Sequence, residues 1–200
     1  MSFLLIVLSG IVGYLLGSIN SSIIVGKLYR IDIRQYGSGN AGMTNTLRTL
    51  GKKAAFFVLI GDILKGILSY LIGLILAGST GAMMAGTCAI LGHNWPIYFG
   101  FRGGKGALTS IAVLFMMNAE IALILLIVFV ITVALTRYVS LGSILGAALF
   151  PVLAIAYKQN IGFVIFALVI GLIVILRHHS NIVRILNGTE SKLDFRKLGR

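Results

Sequence analysis

Long apolar runs dominate the chain, broken at a few places by tight clusters of glycine and polar residues. A membrane-spanning helix needs about 20 apolar residues, within a range of about 17–25. Residues 3–26 carry no charge before Lys27 and predict one span. Residues 54–77 predict a second, interrupted by Asp62 and Lys65, and 81–99 a third. Residues 107–136 are too long for one crossing, and "MNAE" (117–120) is their only polar break. They divide into a short helix, 107–118, and a full one, 121–136. Residues 141–157 and 161–177 complete the set. The expected fold is all-α: an integral membrane protein, 1–200 forming a single domain of about seven transmembrane helices. With 107–118 re-entrant, the count falls to about five or six. No internal repeat or low-complexity segment is evident.

Composition agrees. The chain is 58% hydrophobic and only 11% charged, against about 25% charged in a soluble domain. Its mean hydropathy is +1.02. The net charge of +12 comes from 17 Lys and Arg against 5 Asp and Glu, a balance that in a soluble chain points to nucleic acid. Position gives another reason. With the N-terminus outside and the C-terminus cytoplasmic, the inner segments hold every Lys and Arg except Lys65 and Lys158. Lys27, Arg30, Arg34, Arg48, Lys52 and Lys53 fall in 27–53, Arg102 and Lys105 in 92–106, and Arg137 in 137–143. Arg177, Arg184, Lys192, Arg196, Lys197 and Arg200 fall in 177–200. That is the positive-inside rule, and it accounts for the charge without nucleic acid. No basic residue precedes the first span, so it lacks a signal peptide's charged head and reads as a retained helix. Cys88, the single cysteine, reads as a small buried hydrophobe.

Three polar segments carry the candidate chemistry, all on the predicted inner side. In "YGSGNAGMTNTLRTLGKK" (36–53), Gly37, Gly39 and Gly42 permit positive φ and close approach to a ligand. Ser38 and Asn40 can cap a helix beginning near Ala41, which would place Thr44 and Arg48 on one face. A glycine turn, a helix N-terminus and an Arg suit a phosphate. In "GHNWPIYFGFRGGKG" (92–106), Gly103, Gly104 and Gly106 flank Lys105 ahead of a helix, an anion cradle of free amides and an ammonium. It is not a Walker A loop, because Phe stands at position 99 and Gly106 follows the Lys. In "RHHSNIVRILNGTE" (177–190), Arg177, Asn181 and Arg184 recur at helical spacing, with His178 three residues before Asn181. Asp62 and Lys65 lie three apart within a span and are expected to neutralise each other facing the bundle. No metal constellation is present, since the three histidines are His93 and the adjacent His178–His179. No cofactor is implied.

GSGNAGMTNTLR (37–48), GHNWPIYFGFRGGKG and RHHSNIVRI with Glu190 resemble, in order and spacing, the three signature motifs of the bacterial acyl-phosphate:glycerol-3-phosphate acyltransferases, the PlsY family. "GDILKG" (61–66) and "RYVSLGS" (137–143) are similar too, and Tyr98 and Arg102 stand where the family often has Phe and Lys. The His-x-x-x-x-Asp motif of other glycerolipid acyltransferases is missing: Tyr98, Val183 and Arg184 occupy the Asp positions.

The resemblance implies transfer of an acyl group from acyl phosphate to the 1-hydroxyl of sn-glycerol 3-phosphate, giving lysophosphatidic acid and phosphate. This is the first acylation of phospholipid synthesis, at the cytoplasmic side of the bacterial plasma membrane, by a monomer among membrane lipids. Ser38, Arg48, Lys105, His178 and Asn181 are implied catalytic residues. Gly37, Gly39, Asn40, Thr44, Asn45, His93, Gly103, Gly104, Gly106, Ser140 and Ser143 are implied for substrate binding. Asp62, Lys65, Arg177 and Glu190 are implied in support. The general base is His178 or a substrate phosphate. The alternative from the residues alone is a small transporter or channel for phosphorylated metabolites, although such a protein should hold its polar site near mid-membrane.

Overall fold

The computed structural model describes residues 2–193, so the expectations for Arg196, Lys197 and Arg200 lie outside the described residues. Every regular element among those residues is helical. Two compact units result, the first ending at Met116 and the second beginning at Met117.

The first unit opens with α1 (Phe3–Gly17) and α2 (Ser21–Leu28). The run expected over 3–26 still fits one span as Phe3–Leu28, but its helix is interrupted, and Asn20 interrupts it. Its extended backbone leaves the helix, and its Oδ1 accepts the Ile23 amide at 3.1 Å to cap α2. After a 3₁₀ turn (Ile33–Gln35) comes α3 (Met43–Leu50), then α4 (Lys52–Asn94). The 43 residues of α4 would extend about 65 Å if straight, twice a bilayer core. Non-helical dihedrals at Ala77 and Gly78 turn it back instead. A Cβ on Gly73 would collide with the Gly81 carbonyl, a contact only a hairpin allows. The arms are 52–76 and 79–94, close to the expected 54–77 and the start of 81–99. Helix ends at Asn94 rather than 99 because Pro96 bars a helical conformation at Trp95, which sits at φ −131°, ψ 70°.

Small residues join α1 to the second arm. Cβ atoms on Gly13, Gly17 and Gly92 would strike the Ala85, Ala89 and Tyr14 carbonyls, so the backbones nearly touch. Helix α5 (Ala107–Met117) follows, short as expected, and packs Thr109 and Ala112 against Gly66 and Val113 against Gly86.

The second unit contains α6 (Ala119–Thr136), α7 (Val139–Ala156), α8 (Ile161–Arg177) and α9 (His179–Leu186). Asn118 and Asn160 cap α6 and α8 through the Ile121 and Phe163 amides, both at 3.0 Å. Phe150 meets Phe163 and Phe166 edge-on, with centroids 5.8 and 6.0 Å apart, between α7 and α8. Among the described residues, four helical runs can cross a membrane by length and composition: Phe3–Leu28, Lys52–Phe99, Ala119–Thr136 and Val139–Ala156. The α8–α9 pair, bent by 56°, makes a fifth if counted as one span.

Candidate active site

The first glycine-rich loop is built around Asn45, which is only 1% exposed. Its Oδ1 accepts the Ser38 amide at 2.8 Å, and its Nδ2 donates to the Ile33 and Tyr36 carbonyls at 3.1 and 2.9 Å. Gly37 and Gly39 adopt positive φ, as expected, of 60° and 71°. Gly37 must also lack a side chain, because a Cβ there would collide with Asn45 Oδ1. Two expectations change. Helix α3 begins at Met43 with Gly42 as its cap and no side-chain capping bond, so neither Ser38 nor Asn40 caps it. Asn45, expected as a substrate ligand, spends its amide on the loop and acts from behind it. Thr44 and Arg48 do share a turn-spaced face of α3. Thr46, one step round the helix, meets Ser22 of α2 at 2.7 Å between hydroxyl oxygens.

The second loop leaves α4 at Trp95. The Gly103 and Gly104 amides donate to the Asn94 and His93 carbonyls at 3.2 and 3.0 Å. They were expected to stand free for an anion; they close the loop on the end of α4 instead. Positive φ is not required at either position. What is required is close approach: a Cβ on Gly103 would collide with the His93 carbonyl, and one on Gly104 with the His93 ring. Gly106 takes φ 77° immediately before α5. Lys105 is half-buried beside the N-terminal dipole of α5, which favours an anion. In the first turn of α5, Thr109 Oγ1 and Ser110 Oγ are buried without a hydrogen-bond partner.

Two cations expected only to set topology clasp this loop. Arg34 Nη1 donates to the Phe99 and Arg102 carbonyls at 2.8 and 3.3 Å, and Lys27 Nζ stands 5.2 Å from the Phe99 ring centre. Asp32 holds Arg34 in a fork, Nη2 to Oδ2 at 2.8 Å and Nε to Oδ1 at 2.9 Å. The side-chain hydrogen bonds from Arg34 hold the Asp32 carboxyl below the usual carboxylate range.

Beneath both loops lies a stretch the sequence reading passed over, "SINSS" (18–22). Ser21 Oγ donates to Asp62 Oδ1 at 3.0 Å. Asn20, fully buried, directs Nδ2 toward the Ala41 and His93 carbonyls at 3.4 and 3.5 Å. Four polar residues in five within an otherwise apolar span were the available signal. His93, expected among the substrate ligands, is 4% exposed and packs into this interior.

In the second unit the third motif folds around a carboxylate. Glu190 is 8% exposed, and its Oε1 accepts from Ser140 Oγ and Asn181 Nδ2, both at 2.7 Å. Arg184 Nε donates to Oε2 at 2.7 Å. Burial pushes this carboxyl up, but the Ser140, Asn181 and Arg184 hydrogen bonds and the Arg184 charge outweigh it, and it lies below its ordinary value. Ser140, expected to bind substrate, thus holds Glu190. Ser143 Oγ donates to the Val139 carbonyl at 3.2 Å within its own helix. Arg177 closes α8, so it does not continue the α9 face of Asn181 and Arg184. His178 forms the joint. Its Nδ1 lies 2.7 Å from the Val174 carbonyl, which can only accept, so Nδ1 carries the proton. Nε2 is then the nitrogen able to take one. His179 is exposed.

The helical architecture, its apolar surface and its cationic glycine loops define a membrane-embedded enzyme that handles anions. The family model described as glycerol-3-phosphate acyltransferase matches residues 7–188. A glycerol-3-phosphate acyltransferase of Thermoanaerobacter pseudethanolicus is 50% identical over 188 residues, covering 94% of this chain and 95% of that protein. One from Clostridioides difficile is 45% identical, with 96% and 97% covered. The crystal structure of PlsY, an integral membrane glycerol 3-phosphate acyltransferase, in its glycerol 3-phosphate form matches with a TM-score of 0.91 at 36% identity. That match covers 96% of this chain and 98% of that one. The lysophosphatidic acid form matches with a TM-score of 0.88 at 35% identity, covering 98% and 99%. The chain belongs to the glycerol-3-phosphate acyltransferase family, and its reaction is acyl transfer to glycerol 3-phosphate in phospholipid synthesis.

Proposed function

We propose that the acyl donor is an acyl phosphate and that the acceptor oxygen is the 1-hydroxyl of sn-glycerol 3-phosphate. That oxygen attacks the acyl carbonyl carbon, the bond from this carbon to the phosphate oxygen breaks, and phosphate leaves with the electron pair. Lysophosphatidic acid and phosphate result. An acyl phosphate is a mixed anhydride with a good leaving group, so the protein's main tasks are positioning and charge neutralisation. One observation carries this reading. The place a methyl on Gly104 would fill is bounded by the Ala41 carbonyl oxygen at 2.6 Å, so the two cationic glycine loops lie close against each other. Two substrates bearing phosphate need two such loops.

Ser38, Asn40, Thr44 and Arg48, with Gly37 and Gly39, hold the donor phosphate. Lys105, Gly106 and the α5 N-terminus hold the acceptor phosphate or the developing oxyanion. His178 and Asn181 orient the acceptor, with Arg177, Ser140, Ser143 and Glu190 in support. The hydroxyl proton passes to a substrate phosphate, with His178 Nε2 as the alternative acceptor. The chain crosses the bacterial plasma membrane as a seven-span monomer, N-terminus outside, with its motifs on the cytoplasmic side. The Lys and Arg distribution supports that orientation.

The test is purified protein in detergent, supplied with glycerol 3-phosphate and either acyl phosphate or acyl-CoA. Phosphate release with acyl phosphate alone, lost in Arg48→Ala, is expected. Activity only with acyl-CoA would overturn the donor assignment, and activity only in sealed vesicles would favour the transporter reading.

A further inference from the structure

Asp62 and Lys65 lie inside α4 and are 1% and 5% exposed. Mutual neutralisation explains why they tolerate each other. It does not explain where the ammonium points. Lys65 Nζ lies 2.8 Å from Asp62 Oδ1, 3.2 Å from the Ile19 carbonyl oxygen and 2.7 Å from His93 Nδ1. Three partners use an ammonium's three hydrogens. Lys65, paired with the Asp62 carboxylate, is read as an ammonium, which only donates; His93 Nδ1, 3.6 Å from Asp62 Oδ1, then accepts from Lys65 and the ring proton belongs on Nε2. Asp62 cannot drift, since Ser21 Oγ also donates to its Oδ1 at 3.0 Å.

His93 carries this order to the second loop. Its ring presses on Gly104, where a Cβ would collide with Nε2. Its carbonyl accepts the Gly104 amide at 3.0 Å. Across the same point stands the Ala41 carbonyl of the first loop, with Asn20 Nδ2 3.4 Å from it. An apolar pair of the same volume would pack inside a helix bundle as well as an ion pair does, so stability alone does not call for Asp62 and Lys65.

We infer that Lys65, held by Asp62, is a positioning residue for the reaction: through His93 it fixes Gly104, and with it Lys105, against the Ala41 carbonyl of the first glycine loop. The inference rests on the reading of Lys105 as a substrate-phosphate ligand.

Lys105→Ala, measured first in detergent with both substrates varied, identifies the substrate whose KM rises. The charge-free pair Asp62→Asn with Lys65→Met should then raise the KM of that same substrate about tenfold. The other KM should change less, and the melting temperature should move little. His93→Leu should give the same pattern, and adding it to the pair should cause little further change, because the positions act in series. A pair that lowers the melting temperature but leaves both KM values at wild type would overturn the inference and leave a purely structural ion pair. Effects that multiply in the triple variant would overturn the route through His93. If the pair fails to fold, His93→Leu decides alone, and an unchanged KM there is fatal. Lys105→Ala with wild-type kinetics would instead sink the phosphate reading and take the inference with it.

Discussion

Glu190→Gln should cripple the third motif while leaving its helices in place. The wild-type carboxylate accepts from three donors: Ser140 and Asn181 at Oε1 and Arg184 at Oε2. A glutamine has one oxygen. If that oxygen stays with Asn181, the new NH2 faces the Arg184 N–H; if it turns to Arg184, the NH2 faces the Asn181 NH2. Ser140 adapts in either case, because a hydroxyl also accepts. The bond from Asn181 to the charged carboxylate is worth about 1.5–3 kcal/mol. Neutralising the partner of the part-exposed Arg184, whose side chain is 34% accessible, adds at most about 1 kcal/mol. The total is about 1.5–4 kcal/mol. At about 2–4 °C per kcal/mol for a chain of this size, the melting temperature in detergent should fall by roughly 3–16 °C. Asn181 loses its orientation at the same time, so kcat should drop about 10- to 100-fold. Acidification supplies a second reading. The folded carboxyl lies below its ordinary value, so its contribution is present above about pH 4.3, the unfolded value, and is lost as pH falls through the lowered folded one. The gap in melting temperature between wild type and variant should therefore close in that acid window. Equal melting temperatures and equal kcat near neutral pH would refute the carboxylate-centred account of the motif.

Gly104→Ala should raise the KM for glycerol 3-phosphate roughly tenfold or more and lower kcat less, because the methyl meets the His93 ring and displaces the Lys105 loop. A rise confined to the acyl-phosphate KM would exchange the two loops in the scheme. In a Cys88→Ala background, Thr80→Cys should react with an impermeant thiol reagent from outside the cell, and Ser38→Cys and Ser191→Cys only once the inner face is opened. Labelling of Ser191→Cys from outside would overturn the orientation and the seven-span count together.

Most helices were legible because lipid imposes a length and a composition that few other environments do. The boundaries at Asn118 and Asn160 could be read to within a few residues, since each Asn caps the helix that follows. The break at Ser18–Asn20 was not legible by the same reasoning. Apolar run length dominates a hydropathy reading, and three residues that leave a helix to bond laterally hardly change it. The turn at Ala77–Gly78 was placed by run length alone; the Gly73–Gly81 contact that proves it joins residues that a straight helix would keep far apart.

The site shows why motif reading proposes ligands more readily than it finds supports. Ser38, Thr44, Arg48 and Lys105 advertise themselves by residue type, because glycine, hydroxyl and cation beside a helix start are what a phosphate needs. Asn45 has the same type and a different task. Only its hydrogen bonds to Ser38, Ile33 and Tyr36 show that it builds the loop from inside. Gly103 and Gly104 gave the opposite error: residues that permit an anion to approach backbone amides equally permit another segment of the chain to do so, and His93 and Asn94 take that place. A buried polar group must be satisfied by some partner, and in an apolar protein the partners are few. Asp62, Lys65, His93 and Asn20 therefore have to find one another and the loop carbonyls. Polar residues scattered over seventy-odd positions of sequence collect in one interior node for the same reason that the rest of the chain is greasy.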